Sequence, residues 1–179
     1  TDPADVVIEE ADGGVDEVRT NVGYTLPPNV ENMSVSFSNL VGGGNALVGN
    51  SLNNRIAGAA FTKADIFGLD GDDILDGGGR FGANLDGGLG NDTLINNIGE
   101  SRGGPGADTF VVGPRGAHTA PDVPMTVLDF DPEEGDRIDG SFLAGGDPAT
   151  LFASGQLRFE AANQRLVYSP GPAQTAGGE

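Results

Sequence analysis

Between Val41 and about Val112 the apolar residues return at a nearly fixed interval. Leu47, Ile56, Ile66, Leu75, Leu85, Leu94 and Phe110 stand mostly nine or ten positions apart, with glycine-rich turns between them. Neither the strict alternation of a half-buried strand nor the 3.6-residue period of a helix is present. A fixed repeat that sends one apolar side chain inward per unit predicts a solenoid, each unit being buried by its neighbours in the stack. The composition fits a thin core. With 31 glycines, 37% apolar residues and no Trp, large side chains are too few for a layered α/β core, while ladders of Leu, Ile and Val are affordable.

The flanks read as β-structure around this repeat. Residues 1–40 hold short β-rich runs, Val6 to Ile8, Val15 to Val18, Tyr24 to Leu26 and Met33 to Phe37, separated by Asp-Gly-Gly and Pro-Pro breaks. They are expected to lead into the solenoid, which occupies residues 41–112. Residues 113–124 read as an exposed loop. Residues 125–169 read as closing strands and a small cap, with a hairpin pairing Gln156–Phe159 with Arg165–Tyr168 through a turn at Ala161 to Gln164. The tail at 170–179 is rich in Gly, Pro and Ala and reads as frayed. The expected fold is all-β, a right-handed parallel β-roll with lead-in strands and a C-terminal β cap.

Charge narrows the partners. Asp and Glu outnumber Lys and Arg by 27 to 9, a net charge of −18. No basic footprint exists for nucleic acid, and no apolar run approaches the length of a membrane span. With no cysteine, disulfides and thiolate metal sites are excluded. Such acidity reads either as solubility or disorder, or as carboxylates awaiting a divalent cation.

Position favours the cation. Two units fit the nine-residue pattern GGxGxDxUx in full, Gly87 to Ile95 and Gly103 to Val111, and a third, Gly68 to Asp76, lacks only the second Gly. This nonapeptide is the calcium repeat of the RTX (repeats-in-toxin, haemolysin-type) proteins, and the chain resembles that family over most of its length. The segment Tyr24 to Met33 resembles a lead-in to such repeats, and Val127 to Phe130 with Gly135 to Asp139 resembles the segment that closes the roll. The resemblance implies a secreted bacterial module that folds on calcium and leaves by type I export. It also implies two or more Ca²⁺ ions held by Gly68, Asp70, Gly71, Asp73, Gly87, Leu89, Gly90, Asp92, Gly103, Pro105, Gly106 and Asp108. The chemistry is consistent with this: glycine permits the turn and a close approach of backbone carbonyls, and Asp adds a hard oxygen.

Two units make one coil, so successive turns alternate between two edges. Counting from Gly49, the odd turns place Asn54, Asp73, Asp92 and Asp108 at the acidic position, whereas the even turns place Ala64 and Ala83 there and vary in length. The expectation is a one-sided calcium ladder. One ion lies between the turns of Asp73 and Asp92, a second between those of Asp92 and Asp108, and a weaker third between Asn54 and Asp73. On this layout Asp92 serves two ions.

The other edge carries Phe61, Phe81 and Ile98 with Lys63, Arg80 and Arg102. It reads either as a docking face for a neighbouring domain or an anionic glycan, or as a packed edge whose cations offset nearby carboxylates. In Asp129 to Asp136 an EF-hand is disfavoured, because Glu134 stands at the sixth position and Gly140 at the twelfth. The resemblance implies an accessory calcium site using Asp129, Asp136 or Asp139; a solvated acidic turn is the alternative. His118, the sole histidine, sits in a Pro/Gly loop with no sequence-level partner, and no catalytic set is visible. The function expected is a calcium-dependent module that stabilises or assists export of a parent protein. The alternatives are a polysaccharide or cell-surface binding module, or the C-terminal module of an extracellular protease, lipase or epimerase.

Overall fold

The computed structural model describes residues 6–11, 13–36, 46–59, 63–78, 82–96, 98–112, 125–141, 148–160 and 165–168. Strands are short and regularly spaced: β1 (Glu17–Thr20), β2 (Tyr24–Thr25), β3 (Asn32–Val35), β4 (Ala46–Val48), β5 (Arg55–Ala57), β6 (Ala64–Asp70) and β7 (Ile74–Asp76). They continue through β8 (Ala83–Leu89), β9 (Thr93–Asn96), β10 (Gly99–Arg102), β11 (Thr109–Val112), β12 (Met125–Val127) and β13 (Arg137–Asp139). Odd-numbered strands stack in one sheet, in the order β1-β3-β5-β7-β9-β11-β13, and even-numbered strands stack in the other. Every pairing among these thirteen is parallel, so the chain winds from one sheet to the other and climbs one strand per coil. The chain is therefore a β-solenoid.

In-register pairing turns the repeat into ladders. On the odd sheet Val18, Met33, Ile56, Leu75, Leu94, Phe110 and Ile138 occupy one inward column. On the even sheet Leu47, Ile66 and Leu85 form the facing column. Ile56, Ile66, Leu75, Leu94 and Phe110 are wholly buried, so the seven apolar positions of the repeat are the core. A parallel in-register stack forces identical positions together, which is why one apolar residue per unit suffices. Phe130 of the closing segment packs edge-on against Phe110, with ring centroids 6.3 Å apart.

The segments before the repeat belong to the same two sheets. Of the runs expected there, Val6–Ile8 forms no strand: Val6 and Ile8 are exposed and only Val7 reaches the core. At the other end β14 (Leu157–Glu160) and β15 (Arg165–Tyr168) pair antiparallel with each other, and β15 pairs antiparallel with β12. This hairpin extends the even sheet two strands beyond the last coil, as the sequence suggests. A six-residue helix, α1 (Pro148–Ala153), precedes it and buries Leu151. The turn at 161–164, the loop at 113–124 with His118, and the tail at 170–179 lie outside the described residues.

A column of buried carboxylates at one edge

One edge of the solenoid carries the feature that sets this chain apart from a plain stack of apolar ladders. The residues that enter the odd strands, Asn54, Asp73, Asp92, Asp108 and Asp136, stand directly above one another, all but fully buried. They are joined by one repeated hydrogen bond. The main-chain N–H of each donates to Oδ1 of the next: Asn54 to Asp73 at 2.7 Å, Asp73 to Asp92 at 2.8 Å, Asp92 to Asp108 at 2.8 Å, and Asp108 to Asp136 at 2.9 Å. The steps are 19, 19, 16 and 28 residues. Because the last step is long, sequence spacing alone did not place Asp136 in the column.

The second oxygen of each central carboxylate is the anomaly. Oδ2 of Asp73, Asp92 and Asp108 is buried and has no hydrogen-bond partner. A buried polar atom without a partner costs about 1–3 kcal/mol, and more if charged. Each of these oxygens lies against a glycine of its own turn. A β-carbon on Gly68 would collide with Asp73 Oδ2 and the Gly87 carbonyl, and one on Gly87 with Asp92 Oδ2 and the Gly103 carbonyl. One on Gly103 would collide with Asp108 Oδ2. The glycines thus keep open a cradle in which a carboxylate oxygen and a carbonyl oxygen of the next coil approach one another. Turn geometry needs glycine as well: φ is +114° at Gly71, +131° at Gly90 and +147° at Gly106.

Burial raises all three carboxyls, to about 7 for Asp73, about 6 for Asp92 and about 7 for Asp108. Desolvation is the largest cause in each case, opposed by the backbone N–H and reinforced by neighbouring carboxylates. Among the described residues no cation counters it. Among the described residues no three His, Cys, Asp or Glu side chains are grouped as a metal site. A ligand here would be held by single carboxylates with backbone oxygens.

The remaining sequence candidates fall into place around this column. The carbonyls of Leu89 and Pro105 accept the N–H groups of Gly71 and Gly90 in the preceding coil, and Asp70 is exposed at the end of β6. Asp129 closes the last glycine turn, its two oxygens accepting the N–H groups of Gly103 and Gly104 at 3.0 Å, with Arg102 at 3.7 Å. Asp136 is also saturated, since Oδ2 accepts the Asp131 N–H. Asp139 accepts the Ser141 N–H in a local turn. Asp129, Asp136 and Asp139 therefore do not converge on one point.

Two further details escaped the sequence reading. Outside the column Asn53, Asp72 and Asn91 form an exposed ladder, each side chain accepting the N–H of the corresponding residue one coil on. Asp16 also has a buried Oδ2 without a partner, as does Asn21 at Oδ1. Neither glycine of its turn is set against Asp16: a β-carbon on Gly13 would meet Glu9, and Gly14 faces open space.

At the opposite edge Ala83 stacks on Ala64. Buried Asn96 donates to the Ala83 carbonyl and the Ser101 hydroxyl, and Asp76 accepts the Gly78 N–H. Lys63 is exposed, and Arg102 faces Asp129. Phe61, Phe81 and Arg80 lie outside the described residues. No helix among the described residues is long and apolar enough to cross a membrane. Models of known families, curated proteins and solved structures give no match to this chain.

Proposed function

We propose that this chain is a calcium-binding structural domain of the RTX type, whose coils are joined along one edge by metal. The observation that carries the reading is the set of three buried, unpartnered Oδ2 atoms on Asp73, Asp92 and Asp108, two of them facing a carbonyl of the following coil across a glycine gap. An all-oxygen donor set of carboxylate and carbonyl suits a hard cation with a high and flexible coordination number, which describes calcium better than magnesium. Calcium bound there supplies the positive charge that these desolvated carboxylates lack. Asp73, Asp92 and Asp108 hold it, with Gly87 and Gly103 contributing carbonyls.

Each aspartate offers one uncommitted oxygen, because Oδ1 is engaged by a backbone N–H. The donor set therefore favours one ion per aspartate over a layout in which Asp92 serves two. Metal-binding free energy is folding free energy in such a domain. Extracellular calcium modules bind at about 10⁻⁴–10⁻³ M, so the chain would stay open in a low-calcium cytoplasm and close outside the cell. This suits the export by a type I system that the resemblance implies. Circular dichroism in excess chelator and in millimolar calcium tests the reading. The expected result is a gain of β signal with calcium and none with magnesium at equal concentration; a full β spectrum in chelator would overturn it.

A further inference from the structure

The column does not treat all its turns alike. In the turn from Gly49 to Asn54 the second and fourth positions, glycine in the later repeats or Leu69 at φ +86°, are Asn50 and Leu52, and neither takes a positive φ. Two amides here reach the coil before, while Asn54 Oδ1 lies beside Gly49 and the Gly68 carbonyl, where the aspartates place Oδ2. Asn50 Nδ2 donates to the carbonyls of Pro27 and Val30, both at 2.7 Å. Asn54 Nδ2 donates to the Val30 and Glu31 carbonyls at 3.4 and 3.2 Å, and to Asn50 Oδ1 at 3.1 Å. The oxygens are engaged too: Asn50 Oδ1 accepts the Leu52 N–H at 2.9 Å and Asn54 Oδ1 the Asn50 N–H at 2.7 Å.

Three carbonyls of the preceding coil thus converge on amide N–H groups. Gathering such carbonyls is what a cation does, and an amide does it without charge and without an ion. Neither Asn50 nor Asn54 has a buried oxygen lacking a partner, in contrast to the three aspartates above them.

We propose that Asn50 and Asn54 together take the cation's part where this coil meets the one before, so that the metal ladder ends at Asp73 and residues 24–36 and 46–57 fold without metal, as a platform for the metal-dependent coils. The inference rests on the calcium reading above, and it removes the weak ion expected between Asn54 and Asp73, because Asn54 Oδ1 on that side is already engaged by the Asn50 N–H.

Hydrogen exchange read by mass spectrometry on the full chain, in chelator and in millimolar calcium, tests it. The expected result is protection of peptides from 24–36 and 46–57 in both conditions, with protection of peptides from 68–112 in calcium only. Calcium-dependent protection of both regions would overturn the platform while leaving the calcium reading intact. Protection that ignores calcium throughout would overturn both. A paired variant, Asn50→Gly with Asn54→Asp, restores the repeat chemistry in this coil. It is expected to make peptides 46–57 calcium-dependent and to add one ion to the binding stoichiometry; unchanged exchange and stoichiometry would count against the amides' assigned role.

Discussion

The main-chain N–H of Asp73 donates to Oδ1 of Asp92 at 2.8 Å, while Oδ2 of the same carboxylate is buried with nothing to bond. One oxygen holds the fold together and the other is exposed only to a gap. Separating those roles is what the following substitutions do.

Asp92→Asn keeps an oxygen for the Asp73 N–H and turns an N–H₂ toward the Gly103 carbonyl, the reverse of Asn54, whose N–H₂ faces the preceding coil and whose oxygen lies beside Gly49 and the Gly68 carbonyl. The metal-free domain is expected to gain about 1–3 kcal/mol, the cost of a buried polar atom left unpaired, and to lose one ion. Circular dichroism in chelator, where the variant should show more β signal than the parent chain, and calorimetric titration with calcium check the two halves separately.

Because each aspartate has one uncommitted oxygen, Asp73→Ala and Asp92→Ala should each remove a single ion. A titration in which Asp92→Ala loses twice as many would restore the bridging role that the repeat phase suggested for it.

The metal-free coils should be less unfolded at pH 5 than at pH 8. Carboxyls raised to about 6 or 7 in the fold stabilise it fully below their unfolded value of about 3.9, and that contribution is lost as pH rises through the folded value. Calcium should reverse the order, since it competes with the same protons and binds more tightly as pH rises. Circular dichroism at the two pH values, in chelator and at sub-saturating calcium, reads out the crossing.

Leu69 is a non-glycine residue at φ +86°, where the next two turns have Gly88 and Gly104. Leu69→Gly should raise stability by about 1 kcal/mol by relieving that conformation. Gly87→Ala should do the opposite, because its β-carbon meets Asp92 Oδ2 and the Gly103 carbonyl. Denaturant midpoints at saturating calcium distinguish them. In the core, Leu94→Ala leaves a hole between Leu75 and Phe110 and should cost about 2–5 kcal/mol in the same assay.

Much of this architecture could be read from the chain because stacking in register converts linear spacing directly into contact. Leu75, Leu94 and Phe110 are neighbours in space for the same reason that they are equivalent in the repeat. What escaped lay where spacing breaks. Asp136 sits 28 residues from Asp108, so its place in the column is visible only through the pairing of Arg137 with Thr109. Asn54 read as part of a weaker ion site with Asp73, since only coordinates reveal that its amide and that of Asn50 reach back to Pro27, Val30 and Glu31. Val6–Ile8 has strand composition yet forms no strand, two of its side chains staying exposed. Helix α1 is too short for periodicity, and its signal was Pro148 at the first helical position.

The uneven steps of the column carry a consequence for how such a chain can change length. From Asn54 to Asp73 and on to Asp92 the interval is 19 residues, then 16 to Asp108, yet the same N–H to carboxylate bond is made each time. Variation is absorbed on the edge that lacks the carboxylate column, while the other edge keeps count. A segment such as 68–86 is therefore a transferable part: copying it in tandem would lengthen the stack by one coil and the column by one carboxylate, and excising it would shorten both by the same. For a lineage built this way, gene duplication is a change of height rather than a change of fold.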